Sequence, residues 1–451
     1  MDKTLPLSGG SHHPGRDGSE VPGVVVVFTG GGSLIRVLPL AAGPLELGRG
    51  DEGAGKLDDG RVSRLHARVA VREGRCTVTD LGSQNGTFVD GALATAHTAT
   101  MVERVIRVGD TLLVPCADVR SLEARGVRTI DGFVRGPQMQ EVLDEVARAA
   151  HGGPTLHVRG ESGTGKEAVA QAFHRAGPRA ARPLVAVNCA AIPHALAERL
   201  LFGAKRGTYS GADADAAGYV QEADGSTLFL DEIAELDPLV QAKLLRVLEA
   251  REVLPLGASR PRKVDFALCS ATSKDLRALV AAGTLREDLY FRVGSPAVTL
   301  PALRNRPLEI PALIAGALAG LPQAPKPHVS LVERCLLLPW PGNVRELLAE
   351  VRTAAHAALR DGQRVEARHL PATAGTVFGS AALTASPDEP RKRLSRDDVE
   401  WRQRIEEALR THGGNIAAAA RALGLHRTQL RRLIARYGSA VAGAADDEPA
   451  D

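Results

Sequence analysis

The sequence predicts a multidomain chain: a β-sandwich, then an α/β domain with a largely parallel sheet, then a small all-α unit. Three observations carry this. Between Gly23 and about Ala117, short apolar runs are separated by turn clusters, as in a sandwich. From about Gly136 to Pro371, helical patterns alternate with apolar strands, and from about Pro301 only helices are read. From Trp401 to Tyr437 the pattern is helical and basic, with eight arginines against two glutamates. That segment carries +6 of a total of +3, so the rest of the chain sums to −3. A length of 451 residues fits two to four domains at about 150 residues each.

Composition removes several classes. Apolar residues at 44% and charged residues at 24% are ordinary globular usage, so nothing fibrous or wholly disordered is expected. The five cysteines (Cys76, Cys116, Cys189, Cys269, Cys335) include no CxxC pair, which argues against a zinc ribbon, a redox dithiol or a disulfide scaffold. A reducing cytoplasm fits that usage best. The N-terminus has no apolar signal core, and the longest apolar span, Ala312 to Leu321, is too short to cross a membrane.

In chain order, residues 1–20 hold Gly, Ser, His and Pro without periodicity and are expected as a disordered leader. The sandwich is expected over residues 21–120. Val24-Val25-Val26-Val27-Phe28 is one apolar run, while Leu34–Leu38, Ala67–Val71 and Cys76–Thr79 alternate. Residues 121–135 are read as a connector, and residues 136–371 as the α/β domain. Residues 372–395, rich in Ala, Gly, Ser, Thr and Pro, read as a flexible linker. A helical DNA-binding unit is expected over 396–438 and an acidic, disordered tail over 439–451.

Chemistry concentrates at two places in the α/β domain. Gly160-Glu161-Ser162-Gly163-Thr164-Gly165-Lys166 follows the strand Leu156-His157-Val158 and opens a helix. Glycines let backbone N–H groups face a triphosphate, the helix N-terminus adds positive potential, and Lys166 supplies a charge for the outer phosphates. The hydroxyl that usually follows such a lysine is replaced by Glu167. A metal must therefore lean on other oxygens, and Leu228-Phe229-Leu230-Asp231-Glu232 offers them at the end of an apolar strand. Asp231 is expected on magnesium, and Glu232 is expected to orient and activate the attacking water.

These motifs resemble the AAA+ domain of bacterial enhancer-binding proteins, the activators of sigma-54 RNA polymerase, over about 235 residues. That family commonly carries glutamate at the position of Glu167. The resemblance implies ATP and Mg2+ as cofactors and an oligomeric, hexameric ring. Leu201 to Ala212 is similar to the family's segment with the GAFTGA loop, which touches the sigma factor. Here Gly207, Thr208, Tyr209, Ser210, Gly211 and Ala212 stand in that loop, with tyrosine keeping the ring and serine the hydroxyl. Asn188 matches the asparagine that links nucleotide state to the loop and is expected to pair with Glu232. Thr272, in Ala271-Thr272-Ser273, matches the first sensor. Arg286 and Arg292 match the arginine fingers that reach a neighbouring subunit's nucleotide. Arg345 matches the second sensor, on the phosphates of its own subunit.

At the C-terminus, Asn415 is a good N-cap for a helix from Ile416 to Leu423 that ends at Gly424. In the helix that follows, Leu430, Leu433 and Ile434 form the apolar stripe, leaving Arg427, Gln429, Arg431, Arg432 and Arg436 outside. Two short helices with a cationic second member describe a helix-turn-helix for duplex DNA. It resembles the Fis-type domain of enhancer-binding proteins, with Arg427, Thr428, Gln429, Arg431 and Arg432 expected at bases or phosphates. Aromatic residues make up only 3%, which disfavours a stacking, single-strand mode.

In the sandwich, Gly48-Arg49, Ser63-Arg64-Leu65-His66 and Leu81-Gly82-Ser83-Gln84-Asn85-Gly86-Thr87 resemble the signature of forkhead-associated (FHA) domains. The resemblance implies a phosphothreonine protein or peptide held by Arg49, Ser63, Arg64 and Asn85, with His66 holding the loop. The whole reads as a DNA-bound ring ATPase that remodels sigma-54 RNA polymerase holoenzyme at promoters, under a phosphothreonine signal. The alternative is a DNA-binding regulator that uses ATP as an oligomerisation switch without sigma-54 contact.

Overall fold

The structure is a computed structural model. It describes residues 20–50, 53–208, 214–321, 324–359 and 364–377, and, near the C-terminus, residues 407–408, 411–412, 415–425 and 430. The chain divides into one unit reaching Thr384 and a second from Ala385.

The sandwich expected at the N-terminus is present. Its strands are β1 (Gly23–Thr29), β2 (Gly32–Pro39), β3 (Leu45–Leu47), β4 (Ala67–Arg72), β5 (Arg75–Asp80), β6 (Thr87–Val89), β7 (Ala92–Leu93), β8 (Ala99–Met101), β9 (Ile106–Val108) and β10 (Thr111–Cys116). They form two sheets, in the orders β2-β1-β10-β9-β6-β7 and β3-β4-β5-β8. Val24 and Val26 fill the space between the sheets with Leu47, Val69, Val78 and Leu113. The run at β1 does not alternate because both faces are covered: Val25, Val27 and Phe28 join a second core outside the sandwich.

Residues 121–135, expected as a connector, are structured. Helix α1 (Arg120–Arg125) is followed by a hairpin of β11 (Arg128–Ile130) and β12 (Phe133–Arg135), and Leu122 and Val134 are buried.

The α/β domain follows: α2 (Pro137–Gly152), β13 (Thr155–Arg159), α3 (Lys166–Ala176), β14 (Val185–Asn188), α4 (His194–Phe202), α5 (Tyr219–Glu222), β15 (Thr227–Asp231) and α6 (Pro238–Ala250). Then come a hairpin of β16 (Glu252–Val253) and β17 (Arg262–Lys263), β18 (Ala267–Thr272), α7 (Leu276–Ala281), α8 (Glu287–Val293) and β19 (Ala297–Thr299). The main sheet has the order β14-β15-β18-β13-β19, with every pairing parallel. Helices cover both faces. Leu156, Val158 and Phe229 pack under α2 and α3, while Leu228, Leu230 and Leu268 pack under α4, α6 and α8. The C-terminal ends of β13, β15 and β18 therefore meet on one edge, where an open parallel sheet binds ligands.

The last part of the domain is nearly all helical, as expected: α9 (Ile310–Ala319), α10 (Val329–Leu337) and α11 (Asn343–Ala358). A two-residue parallel pair, β20 (Lys326–Pro327) with β21 (Arg364–Val365), is the one addition among the described residues. These helices form a lid whose core contains Leu313, Ile314, Leu331, Val332, Trp340 and Val351. The same core includes Val25, Val27, Leu112 and Val114 of the sandwich. The start of the segment expected as a linker packs on the lid: Ala374 is buried and the Gly375 N–H bonds Glu346.

In the second unit, α12 (Ile416–Ala422) is capped by Asn415, whose Oδ1 accepts the Ala418 N–H at 3.1 Å. It ends before Gly424, which has a φ of +67°. Ala419, Ala420 and Leu430 are buried together. The expected leader, the acidic tail, most of the second helix and the linker beyond Val377 lie outside the described residues.

Candidate functional site

The phosphate loop joins the end of β13 to α3, as its glycines require. Gly163 has a φ of +76°, and a Cβ there would meet the Gly342 carbonyl at 2.1 Å. Lys166 opens α3 and is buried; its Nζ donates to the Gly160 carbonyl at 3.1 Å and to Glu232 Oε1 at 2.9 Å. Asp231 closes β15, and Glu232 follows it in the left-handed region, at φ +50°, an uncommon backbone for a residue with a side chain. Such backbone is held where surrounding contacts fix it. Here Glu232 Oε2 accepts from Thr272 Oγ1 (3.2 Å), Ser273 N (3.1 Å) and Ser273 Oγ (3.2 Å).

The two acids are shifted in opposite directions. Burial pushes the Asp231 carboxyl up from the ordinary carboxylate value; Lys166 opposes this and Glu232 adds to it. Burial also works to raise Glu232, but the Lys166 and Ser273 hydrogen bonds outweigh it and hold that carboxyl low. Glu232 is thus held as a carboxylate, an acceptor fixed at the mouth of the phosphate loop. Asp231 is a carboxylate whose charge a divalent cation would relieve. One carboxylate plus substrate phosphates is ordinary ligation for magnesium. Glu167, in the first turn of α3, offers no hydroxyl. Among the described residues there is no cluster of three or more acidic, His or Cys side chains for a resident metal.

The other expected residues fall into place unevenly. Arg345, on α11, donates to Ser162 Oγ at 3.2 Å and so reaches the phosphate loop. Asn188 does not meet Glu232: its side chain accepts the Ala190 N–H at 3.0 Å, capping the turn after β14, while Glu232 is occupied by Lys166 and the first sensor. Arg286 lies at the start of α8 and is paired with Asp288 at 2.8 Å, both about half exposed. Arg292 Nη2 donates to the Leu248 carbonyl at 3.0 Å. Of the loop expected to touch the sigma factor, Gly207 and Thr208 are described, and Tyr209, Ser210, Gly211 and Ala212 lie outside the described residues. Its stem is tied by Lys205 Nζ to Asp215 (2.5 Å) and by Lys205 N to the Leu256 carbonyl (2.9 Å), on the β16–β17 hairpin.

The sandwich loops converge at one end. The Arg49 N–H bonds the Ser63 carbonyl (3.0 Å), Ser63 Oγ accepts the Gln84 N–H (3.1 Å), and Asn85 Nδ2 donates to the Arg61 carbonyl (2.6 Å). Arg49, Arg64 and Asn85 are exposed there. His66 is buried and holds the loops, accepting the Ser63 N–H at Nδ1 (3.0 Å), with Nε2 3.2 Å from the Gly86 carbonyl. Asp80 was not singled out from sequence. Its carboxylate accepts Gly82 N, Ser83 N, Ser83 Oγ and Thr87 Oγ1 at 2.6–3.0 Å and shapes the turn that presents Asn85. A serine and a threonine downstream of an aspartate were the available signal.

Three more residues missed from sequence stitch the lid to the phosphate loop. Arg304 pairs with both carboxylate oxygens of Glu161 (2.6 and 2.9 Å), Arg306 donates to the Thr164 carbonyl (2.8 Å), and Asn343 donates to the Ser162 carbonyl (3.0 Å). The DNA-contact residues Arg427, Thr428, Gln429, Arg431 and Arg432 lie outside the described residues.

Comparison with known proteins matches this layout in chain order. An FHA domain profile matches residues 45–114, a sigma-54 interaction domain profile residues 133–299, and a Fis-family bacterial regulatory profile residues 395–437. The hydrogenase transcriptional regulatory protein HoxA of Bradyrhizobium diazoefficiens is 41% identical over 313 residues, 66% of this chain and 62% of that protein. The chain thus spans less than two thirds of that relative's length. HoxA of Cupriavidus necator is 37% identical over 345 residues, covering 74% of this chain and 71% of the relative. The transcriptional regulatory protein ZraR of Escherichia coli K12 is 38% identical over 307 residues, 67% of this chain and 68% of that protein. Among solved structures, NtrX from Brucella abortus superposes with a TM-score of 0.51 at 28% identity over 71% of each chain. With these relatives and this order of domains, the chain belongs to the sigma-54-dependent transcriptional regulators, with an FHA domain, an AAA+ sigma-54 interaction domain and a Fis-type helix-turn-helix.

Proposed function

We propose that the chain hydrolyses ATP as a homo-oligomeric, hexameric ring, remodels sigma-54 RNA polymerase holoenzyme at promoters, and takes its input from a phosphothreonine. The observation that carries this reading is the constellation of Lys166, Glu232, Thr272 and Ser273 at the mouth of the phosphate loop. Lys166 neutralises the outer phosphates of bound ATP. Asp231 would hold magnesium, which would supply charge neutralisation at the phosphates. Glu232, kept ionised by Lys166 and Ser273, orients water and takes its proton. Thr272 holds Glu232 from the adjacent strand. Arg345 adds positive charge beside Ser162.

Arg286 and Arg292 serve a neighbouring subunit's nucleotide. The Arg286–Asp288 pair is a solvent-screened surface contact, so a stronger anion can displace it. Gly207 to Ala212 contact the sigma factor, and the region Arg427 to Arg432 contacts duplex DNA. A phosphothreonine sits against Arg49, Ser63, Arg64 and Asn85; the exposed Arg49 and Arg64 suit a doubly charged phosphate. The sandwich bears on the same lid that carries Arg345, which supports control of the ATPase by that domain.

The test is ATP-dependent open-complex formation on a sigma-54 promoter with the full chain. Glu232→Gln is expected to bind ATP and to lose about 10²–10⁴-fold in turnover. Tyr209→Ala is expected to keep the ATPase and lose promoter opening. Nucleotide-driven assembly with no opening by the unaltered chain would favour the oligomerisation switch.

A further inference from the structure

The carbonyl groups of the phosphate loop are held from outside the loop. The Ser162 carbonyl accepts Asn343 Nδ2 (3.0 Å), the Gly163 carbonyl accepts the Val344 N–H (3.1 Å), and the Thr164 carbonyl accepts Arg306 Nη2 (2.8 Å). In a planar trans peptide, a carbonyl and the N–H of the next residue point to opposite sides. Three consecutive carbonyls drawn toward the lid therefore turn the N–H groups of Gly163, Thr164 and Gly165 away from it. N–H groups of this kind are the donors that a phosphate needs; in this structure the Thr164 N–H turns to the Glu161 carbonyl at 3.4 Å.

Among the three, Asn343 is built for the purpose. It is fully buried and opens α11 in the left-handed region, at φ +52°, where asparagine is tolerated better than most residues. Its Oδ1 accepts the Leu303 N–H at 2.8 Å, which fixes the amide so that Nδ2 faces the loop, 3.0 Å from the Ser162 carbonyl and 3.1 Å from Glu161 Oε2. Arg345 lies two residues on, at Ser162 Oγ.

We infer that Asn343 is a positioning residue for the triphosphate: it orients the Ser162–Gly163 peptide and so makes the phosphate-binding amides depend on the seating of the lid. This rests on the reading of the loop as an ATP site. Amides that face the phosphates in both the ground and the transition state contribute uniform binding, so their loss raises KM more than it lowers kcat. A lid that rotates with α11 releases the Ser162 and Gly163 carbonyls together with Arg345, which ties nucleotide affinity to lid position.

The experiment compares the full chain with Asn343→Asp and Asn343→Gly. The aspartate keeps the shape, the turn and the acceptor for Leu303 but has no donor; the glycine keeps only the turn. Affinity for ATP and ADP, the steady-state constants and the apo melting midpoint are measured for each. Both variants are expected to bind ATP and ADP about tenfold more weakly, with KM raised in step and kcat changed less than about threefold. Repeating Asn343→Asp with Glu161→Gln removes repulsion between the two acids, and the weakened binding is expected to persist. Wild-type affinity in both Asn343 variants overturns the inference while leaving the ATP site standing. So does a fall in kcat that tracks the melting midpoint with KM unmoved. No affinity in the unaltered chain overturns the ATP site and the inference together.

Discussion

His157 lies inside the main sheet, opposite Ser270 on the neighbouring strand, with its Nδ1 2.9 Å from the hydroxyl. Burial pushes its imidazole down to about 4, with Arg159 adding a little. The folded value lies below the unfolded one, so the unfolded chain binds the proton first. Stability is therefore present above about 6.5 and is lost as pH falls toward about 4. His66 is shifted in the same direction by burial, against the pull of the Gly86 carbonyl. Urea midpoints measured from pH 7 to pH 4 are expected to fall in the unaltered chain. In His157→Gln, which still offers Ser270 a partner, they are expected to fall less steeply. An unchanged slope would show that the proton is taken up elsewhere.

At the scale of elements, the segment between β19 and α9 carries more than its sequence announced. Arg306 and Glu309 form an ion pair at 3.0 Å with side chains only 3% and 1% exposed. Glu309 also accepts the Gly136 N–H at 2.8 Å, where α2 begins. Removing one member of a buried pair strands the other charge, so Arg306→Met is expected to cost about 3–5 kcal/mol. The measurement is chemical unfolding, and a loss below about 1 kcal/mol would mean that water reaches Glu309. The elements were legible where a motif demands one backbone, as at Gly160 to Lys166, or where capping and glycine bracket a helix, as at Asn415 and Gly424. They were illegible where contacts are long-range. Nothing local ties Arg304 to Glu161, 143 residues away. The residues 121–135 read as a connector because their helix and hairpin are short and bury only a few side chains. Asn188 matched a motif position, yet its side chain takes the nearest backbone N–H, a local contact that spacing alone does not reveal.

At the scale of the unit reaching Thr384, the decisive feature is the core shared by the FHA sandwich and the lid. The apolar run at β1 already hinted at it, since a sandwich strand with one wet face alternates and this one does not. Val25, Val27, Leu112 and Val114 lie in one cluster with Leu313, Ile314, Leu331 and Val332. Around it, Arg107 lies 3.7 Å over the Phe88 ring and pairs with Glu333 of α10 at 2.8 Å, while Arg104 donates to the Leu337 carbonyl at 2.6 Å. Phe88 stands three residues after Asn85, so the strand leaving the Asn85 loop ends against the lid contact. A sandwich cut free at residue 121 would expose Val25 and Val27 to water, so a test of the proposed phosphopeptide binding belongs in the full chain. Sandwich and lid are expected to unfold together. With nucleotide at the proposed phosphate-loop site, adding ADP should slow amide exchange at Val25 to Phe28 as well as in α11. Arg107→Glu places two acids face to face and should cost on the order of 3 kcal/mol, and adding Glu333→Arg should recover part of it. A separate sandwich transition in the unaltered chain, or exchange in β1 indifferent to ADP, would show that the two bodies share a surface without sharing stability.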